Sequence, residues 1–276
     1  MRFTKMHGCG NDYVYVDCFR ESIDDRSALA IKVSNRNYGI GSDGLICICP
    51  SNIADFKMDM YNSDGTHSAM CGNGMRCLGK YVYDRGLTDK TELSVESGGQ
   101  IKKLWLNVTD GKVDSVRIDM GPVSFRCVDI PALLPDDEFI AQPLEICGES
   151  YAATLVSVGN PHAVIFLDGD EWPDIADIGR RIEKLPIFPK GVNVEFARVI
   201  DRKTIEMRVW ERGSGETLAC GTGATATLAA AVRLGLTDDS AKLILAGGEL
   251  LIEYDRDSGS MFMTGPATTV FDGELF

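Results

Sequence analysis

The tetrapeptide pattern Cys-Gly-x-Gly occurs twice, as Cys71-Gly72-Asn73-Gly74 and Cys220-Gly221-Thr222-Gly223. Each copy stands before a run that reads as a helix, Met75 to Tyr83 in one case and Ala224 to Arg233 in the other. The cysteines are 149 positions apart, and the same displacement brings other segments into coincidence without a gap. Gly10-Asn11 falls on Gly159-Asn160, Gly86-Leu87-Thr88-Asp89 on Gly235-Leu236-Thr237-Asp238, and Gly98-Gly99 on Gly247-Gly248. Near the ends, Met120-Gly121-Pro122 resembles Thr264-Gly265-Pro266 once a five-residue deletion is allowed. A chain with this self-similarity is a diverged internal duplication, with one cysteine at the mouth of one helix in each half.

Two similar halves packed face to face would be related by an approximate twofold axis, so a feature present in both can meet itself. The two cysteines are then expected to oppose each other. Each sits where unpaired backbone N–H groups and the positive end of a helix dipole favour an anion, an environment expected to lower a thiol pKa from roughly 8.5 towards neutrality. A thiolate and a thiol on opposite sides of a ligand form a base and an acid for moving a proton from one face of a carbon to the other.

The rest of the sequence narrows the class. A net charge of −13 without a Lys/Arg cluster argues against a nucleic-acid partner. Met1 to Tyr15 is interrupted by Lys5, His7, Asn11 and Asp12, so it carries neither a signal-peptide core nor a membrane span. The nine cysteines are odd in number and include no Cys-x-x-Cys pair, and there are three histidines, His7, His67 and His162. A disulfide framework or zinc site is therefore not expected, and a reducing cytoplasm fits. Cys47 and Cys49 alternate within a strand-like run and read as core, while Cys9, Cys18, Cys77, Cys127 and Cys147 read as structural. His67 reads as a solvated loop residue.

The pattern along the chain is mixed α/β. Strands are expected at Tyr13 to Val16, Leu45 to Cys49 and Phe56 to Tyr61, with a helix capped by Asp24-Asp25, running to about Asn35 and closed by Gly39-Ile40-Gly41. Glu92 to Glu96, Gln100 to Asn107 and Val113 to Asp119 read as a meander, and the proline-bearing stretch Gly121 to Glu149 as a connection. The second half repeats a strand at Ala163 to Leu167, a helix at Asp174 to Leu185, and strands at Val194 to Ile200 and Thr204 to Trp210. Two domains follow: residues 1–122 with a returning tail 267–276, and residues 123–266.

Seven motifs, in one order along nearly the whole chain, closely resemble those of the diaminopimelate epimerases. They are Met6-His7-Gly8-Cys9-Gly10-Asn11-Asp12, Gly39-Ile40-Gly41-Ser42-Asp43-Gly44, Asn62-Ser63-Asp64-Gly65, Met70 to Cys77, Gly159-Asn160-Pro161-His162-Ala163, Gly191 to Phe196, and Glu211-Arg212-Gly213 through Gly223. The resemblance implies interconversion of LL- and meso-diaminopimelate without a cofactor, towards lysine and peptidoglycan. It also implies two α/β domains of mixed strands, each wrapped around a central helix, and a homodimer. Carried over by residue, Cys71 and Cys220 resemble the acid/base pair, with no metal. Asn11, Asn62, Asn160, Asn193, Glu211 and Arg212 resemble substrate contacts; Gly72, Asn73, Gly221 and Thr222 resemble a carboxylate cradle. His162 is assigned a supporting place beside them. Thr66-His67-Ser68-Ala69 departs from the family, standing where acidic residues commonly precede the first cysteine.

Two other readings are open at this stage. A proline or hydroxyproline racemase also uses opposed cysteines, but its substrate has no second charged centre for Glu211-Arg212 to hold. A thiol redox or binding protein could use Cys71 and Cys220 as a switchable disulfide, but would not need paired carboxylate cradles. A lone cysteine before a helix is most often a buried small hydrophobe, and a loop asparagine a turn residue. Duplication is what lifts these residues above that background.

Overall fold

A computed structural model describes residues 1–276, which divide into two compact units: Met1–Asp119 with Thr264–Phe276, and Met120–Met263. The expected boundaries lie three residues further along the chain in each case.

The first unit begins with an antiparallel pair, β1 (Arg2–Gly8) and β2 (Asn11–Asp17), joined through Cys9 and Gly10, both at positive φ. The first of these strands was not legible in the sequence. Its interior position buries Thr4 and Lys5 as well as Phe3 and Met6, so polar and apolar residues do not alternate. Helix α1 (Arg26–Ser34) is capped by Asp25, whose carboxylate accepts the Ala28 N–H. Then come β3 (Gly44–Cys49), β4 (Phe56–Asn62), the short β5 (His67–Ser68) and helix α2 (Gly72–Asp84). A meander of β6 (Glu92–Ser97), β7 (Gln100–Thr109) and β8 (Lys112–Pro122) follows.

Every residue of β3 is buried, as expected for a strand covered on both faces. Leu45, Cys47 and Cys49 pack with Ala30 and Val33 of α1. The alternate residue Ile46 lies against α2, where a Cβ on Gly74 would come within 2.5 Å of its Cδ1.

In the second unit the proline-bearing stretch is not a bare connection. It folds into a 3-10 turn at Cys127–Asp129 and a strand, β9 (Gln142–Ile146), which forms a hairpin with β10 (Glu149–Ser157). Cys147 turns that hairpin at positive φ and is exposed, so it is not a core residue. Then follow β11 (Pro161–Phe166), α3 (Ile175–Glu183), β12 (Asn193–Asp201), β13 (Thr204–Glu211), β14 (Gly215–Thr217), α4 (Gly221–Arg233), β15 (Ser240–Leu245), β16 (Gly248–Asp255) and β17 (Ser260–Pro266). The returning segment carries β18 (Thr268–Glu274), which pairs antiparallel with β1.

The duplication extends to strand register. Tyr13 lies opposite Gly44 in the parallel β2/β3 pair, and the displaced residues His162 and Asn193 lie opposite each other in parallel β11/β12. Asp25 caps α1 and Asp174 caps α3 in the same way. The ungapped match fails only near the end. Phe56 pairs with Val95, whereas Ile205 pairs with Leu243, because the segment from Gly235 to β15 is one residue shorter than that from Gly86 to β6. Gly98-Gly99, which turn β6 into β7, therefore correspond to Ala246-Gly247 and not to Gly247-Gly248.

One packing difference gives a direct test of the frame. Buried Ala30 of α1 corresponds to Gly179 of α3, where a Cβ would stand 2.5 Å from Trp210 Cβ. Gly179→Ala is expected to lower stability by about 1–3 kcal/mol through overpacking, read as a reduced midpoint in urea unfolding.

Candidate active site

Helices α2 and α4 both begin three residues before the expected starts, immediately after the cysteines. The reason is that each sulfur is itself the cap. Cys71 and Cys220 have extended backbone dihedrals, and Sγ accepts the N–H of Gly74 at 3.3 Å and of Gly223 at 3.4 Å. Gly72 and Asn73, and likewise Gly221 and Thr222, thus occupy the first helical positions, whose N–H groups have no acceptor within their own helix. A carboxylate is the natural ligand of such a terminus.

In the first unit the polar groups around Cys71 are arranged by charge. Asp43 Oδ2 accepts from Asn11 Nδ2 at 2.8 Å and from the Asp12 N–H at 3.0 Å. A carboxylate can only accept, so the other end of the Asn11 amide, Oδ1, is turned towards Cys71 Sγ and Asn73 Nδ2, both at 3.3 Å. Arg36 bridges Asp12 and Asp43, and Lys5 pairs with Asp12 and donates to the Gly41 carbonyl. Arg76, fully buried in α2, donates to Asn73 Oδ1 at 2.9 Å and to the Pro266 carbonyl of the returning segment at 3.1 Å. Sequence reasoning missed Lys5, Arg36, Asp43 and Arg76 as supports. The available signal was that Asp12, Asp43 and Arg76 fall inside the recognised motifs.

His67 is exposed, as expected, but it lies in β5 and its ring has partners. Its Nε2 lies 2.9 Å from Asp59 Oδ1, its ring meets Tyr61 edge-on, and Arg26 pairs with the same carboxylate. The departure at Thr66–Ala69 thus brings its own partner. Asn62 uses Nδ2 to hold Thr66 Oγ1 at 3.0 Å across the same turn.

The second unit builds different surroundings on the same frame. Asn160 corresponds to Asn11 but presents its other end: Nδ2 donates to Thr222 Oγ1 at 3.2 Å, and that hydroxyl lies 3.4 Å from Cys220 Sγ. Asn160 Oδ1 meets His162 Nε2 at 2.9 Å, and His162 Nδ1 meets Glu195 Oε1 at 2.7 Å. Asn193 is engaged at both ends, giving Nδ2 to the Pro161 carbonyl and accepting the Arg212 N–H, each at 2.9 Å. It ties β11 to the loop that carries Arg212. The Arg212 side chain is exposed and donates to the Lys190 carbonyl at 3.0 Å, while Glu211 accepts from Thr217.

The expected lowering of thiol pKa does not hold at Cys220. Burial pushes it well above the ordinary thiol range, and the nearby carboxylates of Glu211 and Glu195 add to that, outweighing the hydrogen bonds from Thr222 and Gly223. Glu211 is itself raised, by burial first, against hydrogen bonds from Thr217 and Cys220. At Cys71 the residue corresponding to His162 is Tyr13, whose phenol is raised well above its usual range by burial and then by Cys71. The helix dipole therefore does not act alone; a buried anion among carboxylates costs more than a capped terminus returns.

The sequence profile of the family described as diaminopimelate epimerase matches residues 3–126 and 154–270. A diaminopimelate epimerase of Acetivibrio thermocellus is 51% identical over 275 residues, spanning 100% of this chain and 98% of that protein. Among solved structures, a phenazine biosynthesis protein of the PhzF family from Bacillus anthracis superposes with a TM-score of 0.72 at 15% identity, covering 100% of this chain and 99% of the other. A probable proline racemase from Agrobacterium radiobacter, with bound carbonate, gives 0.71 at 14% identity, covering 100% and 92%. At such identities the likeness is one of fold.

Because its thiol is held protonated, Cys220 is expected to react slowly with iodoacetamide between pH 7 and 9. Glu211→Gln removes one of the opposing charges and should speed its alkylation by about tenfold, the equivalent of one pKa unit. Peptide mapping by mass spectrometry, with Cys71 as internal reference, measures this; an unchanged ratio would mean that Glu211 does not govern the sulfur.

Proposed function

This chain belongs to the diaminopimelate epimerase family, and we propose that Cys71 and Cys220 are the base and acid with which it interconverts LL- and meso-diaminopimelate. The observation that carries the reading is that both sulfurs cap helices at equivalent places in a duplicated frame yet meet different groups, the Asn11 amide oxygen at Cys71 and the Thr222 hydroxyl at Cys220. One sulfur removes the α-hydrogen, and the other returns a proton to the opposite face of the carbon.

Deprotonating an amino-acid α-carbon needs stabilisation of the resulting carbanion, commonly supplied by pyridoxal phosphate. Here the first-turn N–H groups of α2 and α4, at Gly72, Asn73, Gly221 and Thr222, would donate to the α-carboxylate as charge moves onto its oxygens. Preorganised donors of this kind are worth roughly 3–4 kcal/mol each. Cys220, held as a thiol, suits delivery of the proton in one direction; for the reverse direction it must first become the thiolate. Asn11 and Asn160 hold their orientation beside the two sulfurs and would meet the reacting end of the substrate.

The distal end of the substrate carries its own carboxylate and ammonium. Arg212, exposed and anchored through its backbone to Asn193, would take the carboxylate bidentately; Glu211 would pair with the ammonium, with Asn62 adding neutral contacts. A proline-type substrate offers nothing for this charge pair, which favours diaminopimelate. No disulfide joins any of the nine cysteines, in keeping with a reducing cytoplasm, and the family resemblance supports a homodimer.

Two experiments test the assignment. In heavy water at low conversion, newly formed meso product should carry deuterium at the inverted carbon while recovered LL substrate stays largely unlabelled. Cys71→Ser or Cys220→Ser alone should stop inversion, since a hydroxyl cannot replace a thiol in this role near neutral pH. Product that retains the substrate's own hydrogen, or a serine variant at near wild-type rate, refutes the pair. Separately, Arg212→Met should lower kcat/KM for diaminopimelate by the equivalent of about 2–5 kcal/mol with an unchanged circular dichroism spectrum.

A further inference from the structure

Behind Cys220 lies a buried acid and base for which the proposed proton transfer has no direct use. His162 and Glu195 are both 0% exposed, and Glu195 Oε2 has no hydrogen-bond partner at all. At the corresponding places the first unit has Tyr13 and Ile46, so the frame itself does not require an ionisable pair. Burying two such groups is costly, and packing does not explain it.

The direction of the hydrogen bonds does. Asn160 Nδ2 donates to Thr222, so Asn160 Oδ1 is the end that faces His162 Nε2, and an oxygen there requires a proton on Nε2. The short contact between Nδ1 and Glu195 Oε1 then holds a second proton, shared between a nitrogen and a carboxyl oxygen. Thr222, having accepted from Asn160, has its own hydrogen left for Cys220 Sγ, and the thiol hydrogen in turn serves Glu211. Every donor in the series His162, Asn160, Thr222, Cys220 points the same way.

If the pair held one proton fewer, that proton would sit on Nδ1 against the carboxylate and Nε2 would be bare. Asn160 would have to turn its N–H to Nε2 and its carbonyl to the Thr222 hydroxyl, which would then accept from the thiol. The series has two arrangements, and only one offers a hydrogen to the sulfur.

We propose that Glu195 is a positioning residue: by sharing a proton with His162 it fixes the Nε2–H form, and so directs the Asn160 and Thr222 donors at Cys220. The benefit comes when Cys220 gives its S–H proton to the substrate carbon, because the thiolate left behind meets a donor already aimed at it. This rests on Cys220 as a proton-transfer group, but the protonated nitrogen of His162 can be read without substrate.

The test is long-range proton–nitrogen correlation NMR on the enzyme labelled with 15N-histidine, in which three histidines give three ring systems. His162 is expected to carry a proton on Nε2. Glu195→Met keeps length and bulk but cannot share a proton; it should leave His162 averaging between its two neutral forms and lower kcat at least tenfold, with KM changed less than threefold. A wild-type His162 protonated on Nδ1 alone overturns the proposal, as does a Glu195→Met enzyme with unchanged kcat or with its loss of kcat accompanied by an unaltered His162 spectrum. Should that variant not fold, the wild-type spectrum decides. Failure of the two-cysteine reading would show instead in the deuterium pattern, with the His162 signal as expected.

Discussion

A sulfur that caps a helix is the interaction on which the site depends twice over. An N-cap side chain must lie within reach of the N–H two or three residues on, so capping fixes where Cys71 and Cys220 point before any ligand arrives. The first two N–H groups of each helix, next to the sulfur in sequence, have no acceptor within their own helix. The sulfur proposed to move the proton and the N–H groups proposed to hold the carboxylate are thus one local structure, and their spacing is set by the helix. Glycines are needed because the following turn is crowded: a Cβ on Gly74 would strike Ile46 and one on Gly223 would strike Glu195 Oε1, within 2.6 Å in each case.

The two helices reach that arrangement by different packing. In α4 small residues cover most positions, and Thr225 and Thr227 return their hydroxyls to the Gly221 and Gly223 carbonyls, so the helix can be buried nearly all round without stranded polar groups. In α2 the long Arg76 is buried instead, its charge satisfied by Asn73 and the Pro266 carbonyl. The returning segment therefore helps to build the first site as well as closing β1 with β18.

What could be read from the sequence was whatever the duplication repeats. The cysteine helices, the Asp25 and Asp174 caps and the parallel strand pairs all recur at a fixed displacement, so each copy vouches for the other. What could not be read lies where the halves differ or where strands are interior. β1 hid behind Lys5, buried because Asp12 and the Gly41 carbonyl receive its charge, and β9 hid behind prolines at an edge. The one-residue slip after Gly235 was invisible because Gly248 follows the true partner Ala246-Gly247, so that the ungapped displacement still sets Gly98-Gly99 on a glycine pair. Partners such as Asp43 for Asn11 or Glu195 for His162 are brought together by strand crossing, and no local pattern announces them.

The divergence itself has a physical reason. A reaction that passes a proton from one face of a carbon to the other needs one group that begins charged and one that begins neutral, and two identical environments could not hold both states with equal ease. Around Cys71 the Asn11 amide offers an oxygen, held so by Asp43; around Cys220 the Asn160 amide offers its N–H to Thr222, held so by His162. Carboxylates at Glu211 and Glu195 resist a second negative charge at Cys220, while the Thr222 hydroxyl and the helix terminus support one. Burial and the carboxylates prevail, and the sulfur rests as a thiol; in the proposed reaction the hydroxyl and the helix terminus would receive the charge once the proton has left.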